Sequence, residues 1–78
     1  MRYVERSDIL TIVRENPDLT AHQVALKAYP DIWPESSNFR TAKIRVYSQL
    51  QDLKRNGQVI ISGTIRSPKV ASTWRAVE

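Results

Sequence analysis

The chain has no cysteine. That excludes disulfide frameworks, thiolate metal sites and cysteine nucleophiles together, and it fits a reducing compartment. Its two glycines are too few for a glycine-rich phosphate loop, and no H-E-x-x-H or G-x-S-x-G run occurs. The sole histidine, His22, has no catalytic partner nearby in sequence, and the acids lie mostly in the first third without metal-ligand spacing. Neither catalysis nor a cofactor is expected. No apolar run approaches the roughly 20 residues of a membrane span. The start, Met1-Arg2-Tyr3-Val4-Glu5-Arg6, lacks the apolar core of a signal peptide. No membrane partner and no small-molecule ligand are expected, and the expected location is the cytoplasm.

What is present is a foldable core and a lopsided charge. Hydrophobic residues make up 41% of the 78 residues, enough for one ordered domain with a modest core. Residues 1–6 read as a flexible N-terminal arm and residues 7–78 as the domain. Residues 1–35 carry four basic and six acidic residues, a net of −2. Residues 36–77 carry eight basic residues and one acid, Asp52, a net of +7. A contiguous basic stretch suits a polyanion. Nucleic acid is the commonest such partner, because each phosphate neutralised releases condensed counterions.

The patterning predicts three helices and then a hairpin, an α+β chain. Ser7 or Asp8 can cap a first helix to about Glu15, with Ile9, Leu10, Ile12 and Val13 as its apolar stripe. Asn16-Pro17-Asp18 ends it. Thr20 and Gln23 fit a capping box for a second helix to Ala28 or Tyr29, with Leu19, Val24, Ala25 and Ala28 facing the core. After a turn between Pro30 and Pro34, a longer third helix is expected from Ser37 or Asn38 to Asn56, with Gly57 as its C′ residue. On a wheel of about 100° per residue, Phe39, Ala42, Val46, Leu50 and Leu53 form its buried stripe. Arg40, Thr41, Ile44, Arg45, Ser48, Gln51 and Arg55 face the other way. Residues 58–62 and 70–75 are β-branched and read as strands, joined by a loop from Gly63 to Lys69 with Arg66 and Lys69 at the tip.

This order of elements, together with Leu50-Gln51-Asp52-Leu53-Lys54-Arg55-Asn56-Gly57-Gln58-Val59, resembles the winged-helix DNA-binding superfamily. The segment is similar to the L-x-x-L-x-x-x-G-x-V/I join between recognition helix and wing strand in bacterial and archaeal regulators. The resemblance spans residues 7–77. It implies a three-helix winged-helix domain with a C-terminal β-hairpin wing, double-stranded DNA as partner, and a small transcriptional regulator associated with the nucleoid. In that layout the third helix enters the major groove and the wing meets backbone or the minor groove. Arg40 and Arg45 would then address a guanine edge or a phosphate, and Thr41 and Ser48 a phosphate or a base. Ile44 suits a thymine methyl or a partner's apolar surface. Ser37 and Asn38 would contact phosphate at the helix start. Arg66 and Lys69 would bind phosphate or reach a minor groove, and Arg55 would either reach phosphate or serve only its helix terminus.

One departure stands out: about eight residues separate the second and third helices, against three or four in a tight helix-turn-helix. A homodimer would have to use the first helix, the N-terminal arm or the Trp33 turn, because no long terminal helix is left over. Trp33 and Trp74 are most simply core or core-edge residues, with Trp33 equally suited to a contact surface and Trp74 in register with Val70 and Ser72. The rival reading is a winged helix used for protein–protein contact within a larger complex. Ile44, Ile65 and Trp33 forming one patch would favour it.

Overall fold

The computed structural model describes residues 4–66 and 70–77. The order is α1 (Arg6–Glu15), β1 (Leu19–Thr20), α2 (Ala21–Ala28), α3 (Ser37–Arg55), β2 (Val59–Ile65) and β3 (Ala71–Ala76). Three helices pack on a three-stranded antiparallel sheet of order β1-β3-β2. Among the described residues, no helix is long and apolar enough to cross a membrane.

Local chemistry sets most boundaries. Thr20 Oγ1 accepts from the Gln23 N–H at 3.2 Å, and the Gln23 side chain accepts from the Thr20 N–H at 2.9 Å. The capping box expected at α2 is therefore closed in both directions. α3 begins at Ser37 with Ser36 as its cap, the Ser36 hydroxyl accepting from the Phe39 N–H. It ends where Gly57 takes φ 77°, a left-handed conformation that costs glycine little. Gly57 N–H then donates to the Lys54 carbonyl and Gln58 N–H to the Leu53 carbonyl, at 3.0 and 2.9 Å. This pair of bonds satisfies carbonyls left open by the last turn and turns the chain into β2.

The core gathers Ile9 and Val13 of α1, Val24, Ala25 and Ala28 of α2, the five-residue stripe Phe39, Ala42, Val46, Leu50 and Leu53 of α3, and Val59, Trp74 and Ala76 of the sheet. Tyr29 joins it. Leu10, Ile12 and Leu19 are partly buried against it.

Several expectations are corrected. Of the arm expected over residues 1–6, residues 1–3 lie outside the described residues, and residues 4–6 join the domain: Val4 is fully buried, and Gln49 of α3 donates to its carbonyl at 2.6 Å. Glu5, not Ser7 or Asp8, is the cap residue of α1. Asp8 instead accepts from the Glu5 N–H at 3.1 Å, an acid three residues into the helix reaching back to its start. Trp33 is not in the core but 69% exposed. Ser36 holds the Trp33 carbonyl through both its N–H and its hydroxyl, and the neighbouring Ile32 packs on the core in its place. Gly63 does not break β2. The strand runs through it to Ile65, and the loop is shorter than expected. Val70 is exposed rather than buried in register with Trp74.

The sheet register explains Gly63. Ile61 pairs with Trp74 and Gly63 with Thr73, so Ser62 is an extra residue on β2, a bulge. The Ser62 and Thr73 hydroxyls lie 2.9 Å apart. A Cβ at Gly63 would sit 3.4 Å from Thr73 Oγ1, so glycine lets the strands approach. The two-residue β1 pairs with β3 on its other side, Leu19 with Trp74 and Thr20 with Thr73.

Candidate nucleic-acid interface

α3 is the element that presents most of the expected contact residues, because its apolar stripe fixes which side faces solvent. Ser37, Asn38, Arg40, Thr41, Ile44, Ser48 and Arg55 are all exposed, while Arg45 and Gln51 are half-buried. Five cations on α3 face a single acid, Asp52. Arg55 lies 3.8 Å from Asp52, and Arg6 of α1 lies 4.0 Å from it. Among the described residues, Arg40, Lys43, Arg45 and Lys54 have no carboxylate within 4.0 Å. At the start of the helix, Ser36 Oγ accepts from Phe39, which leaves the Ser37 and Asn38 N–H groups without a protein acceptor among the described residues. Thr41 Oγ1 donates back to the Ser37 carbonyl at 3.4 Å.

The two flanks of α3 differ. Arg45 and Tyr47 are two residues apart, about 160° on the helical wheel. Tyr47 leans toward the sheet, its ring edge-on to Trp74 with centroids 6.2 Å apart. Arg45 lies on the flank of Gln49 and Asp52, which touch Val4 and Arg6. The side of α3 shared with the hairpin is therefore that of Arg40, Lys43, Ile44 and Tyr47. Tyr47, 51% exposed, was missed by sequence reasoning, although its place between buried and outward sectors was visible on the wheel.

An open groove of about 830 Å³ runs between α3, the first turn of α2 and the hairpin. Thr20, Ala21 and His22 line it from the start of α2, Lys43, Ile44 and Tyr47 from α3, and Ile65, Val70, Ala71 and Ser72 from the hairpin. His22 packs edge-on against Phe39 at 5.3 Å. Ile44 is 66% exposed beside this groove. Trp33 lines a different concavity, with Tyr29, Asp31 and Asn38, so the three-residue patch of Ile44, Ile65 and Trp33 is not formed.

Arg66 is exposed where β2 leaves the sheet. Lys69, expected at the tip, lies outside the described residues. Arg75, by contrast, is engaged: its guanidinium donates to Asp18 Oδ2 at 2.7 Å. Asp18 holds φ 66°, and its N–H donates to the Trp74 carbonyl. The Ser62 hydroxyl and then Arg75 hold its carboxyl below the ordinary aspartate range.

Among the described residues, no group of three or more His, Cys, Asp or Glu could hold a metal ion. Comparison with protein-family models, with curated proteins and with solved structures finds no match to this chain.

Proposed function

We propose that this domain binds double-stranded DNA as a winged helix and acts as a small transcriptional regulator, with α3 in the major groove and the β2–β3 hairpin against backbone or minor groove. One observation carries the reading. Along α3 stand four cations that no carboxylate neutralises among the described residues, Arg40 and Lys54 exposed and Lys43 and Arg45 half-buried. A protein that leaves charge unpaired along a rigid helix gains most from a partner that supplies phosphates. The layout supports it as well: a short strand lies between α1 and α2, a hairpin follows the long helix, and Ile65, next to Arg66, lines the groove shared with α3. Arg40 is the best-placed base or phosphate contact, being exposed and on the flank nearest the hairpin. Arg45, half-buried on the far flank, is better placed for the backbone. Ser37, Asn38, Thr41 and Ser48 would add hydrogen bonds to phosphate.

The test is fluorescence anisotropy of labelled random-sequence duplex at low and moderate salt. Binding that weakens steeply with salt is expected, with a slope of about −0.9 per phosphate neutralised. No binding at low salt removes the proposal.

A second reading, contact with another protein, draws on the apolar groove formed by Ile44, Tyr47 and Val70. Salt-insensitive association with a protein partner, alongside no DNA binding, would favour it.

A further inference from the structure

Among the described residues, the order β1-β3-β2 leaves one side of β2 without a partner strand. Folded proteins usually guard such an edge with shortness, charge or proline. The opposite edge, β1, is guarded by being two residues long. β2 has seven residues and no charge. It sits within residues 56–65, the longest stretch of the chain without Asp, Glu, Lys or Arg. Ile60, Ile61 and Ile65 on it are 48%, 40% and 41% exposed. The Ser62 bulge is its one irregularity.

We propose that β2 pairs with β2 of a second copy of this chain, antiparallel about a two-fold axis, to form a six-stranded sheet. The occupant follows from charge. Each copy carries a net +4, so two copies repel wherever their cationic surfaces meet. The uncharged edge is where two backbones can approach without like-charge contact, and an antiparallel strand about a two-fold is its own complement.

The bulge favours this pairing. Ile60 lies opposite Arg75 and Ile65 opposite Ala71, and Arg75 and Ala71 are four residues apart on one strand. Directly opposed residues share a face, so Ile60 and Ile65 share one too, although five residues separate them. Without the extra residue at Ser62 they would point to opposite faces. A pairing centred between Ser62 and Gly63 sets Ile60 of each copy against Ile65 of the other. Assembly stops at two, because the remaining free edges are the two-residue strands. The axis runs perpendicular to the sheet and leaves both helical layers on one side of it.

The experiment needs no DNA, so its outcome is independent of the DNA-binding reading. Sedimentation velocity of the full chain, from micromolar toward millimolar, is expected to show a monomer–dimer equilibrium. Ile60→Lys replaces both Ile60–Ile65 pairs across the axis with a lysine against an isoleucine, beside the Arg75 it already faces on β3, and is expected to weaken the dimer about tenfold or more, since the apolar cross-strand pairs are lost. Hydrogen exchange of the unaltered chain gives a second readout that requires no variant: protection of β2 amides is expected to rise with protein concentration. A monomer at the highest concentration, a dimer unaffected by Ile60→Lys, open-ended polymers, or β2 protection independent of concentration would each overturn the proposal.

Discussion

Charge does different work in the two halves of this molecule. Before α3 it closes the fold. Asp8 takes the N–H that starts α1, and Asp18 ties the α1–β1 turn to Arg75 of the middle strand. In α3 it closes little: Asp52 makes two long pairs, with Arg55 and with Arg6, and four cations have no carboxylate in reach among the described residues. The sequence halves differ in net charge from −2 to +7, but the sign is the lesser difference. Asp8 and Asp18 are each committed to a backbone N–H or a cation of the fold. The cations of α3 stand on a rigid rod whose other side is sealed into the core, so they are held in place without being satisfied.

The comparison can be broken most forcefully from the sealed side. Leu50→Ala removes a fully buried side chain from the stripe and should cost about 2–5 kcal/mol in urea denaturation. DNA affinity of the protein that remains folded should change little; a parallel loss would mean the two sides of α3 do not act separately. Next, Arg40→Ala should weaken DNA binding by roughly 1–3 kcal/mol in anisotropy titrations. Arg45→Ala should weaken it less, and the reverse ranking would reassign the binding flank. Removing the α2 cap with Thr20→Ala should cost about 1 kcal/mol of stability in thermal denaturation.

The smallest effect concerns Asp18. Its folded pKa is lowered, so the folded state binds a proton less readily than the unfolded chain. Its contribution is complete above the unfolded aspartate value and fades as pH falls through the folded one. Asp18 is exposed and its ion pair is screened, so the change should be slight. Stability measured against pH across the acid limb should be flatter in Asp18→Asn, and an unaltered limb would remove Asp18 from the folding role assigned to it.

Much of this was legible in the chain because it is written locally. The stripe from Phe39 to Leu53, the Thr20–Gln23 box and the glycine after α3 each depend on residues within a few positions of one another. What escaped was set by distance. Val4 looks like part of a polar arm until Gln49, 45 residues away, takes its carbonyl. Leu19 and Thr20 are too few to signal a strand and become one only against Trp74 and Thr73. Gly63 reads as a breaker, since a bulge and a turn draw on the same residue. At the candidate interface, the exposed residues of α3 could be named from the wheel. Which flank faced the hairpin could not, because that depends on where β3 lies.

β3 is the middle strand, yet it follows every other element in the chain. As the polypeptide leaves the ribosome, the helices can assemble from near-neighbour contacts while neither β1 nor β2 has anything to pair with. Until Ala71–Ala76 emerges, the isoleucine strand is bare along both edges instead of one. The hazard of misassembly in this chain is thus a matter of order: it is greatest while β2 is exposed and β3 is not yet paired beside it.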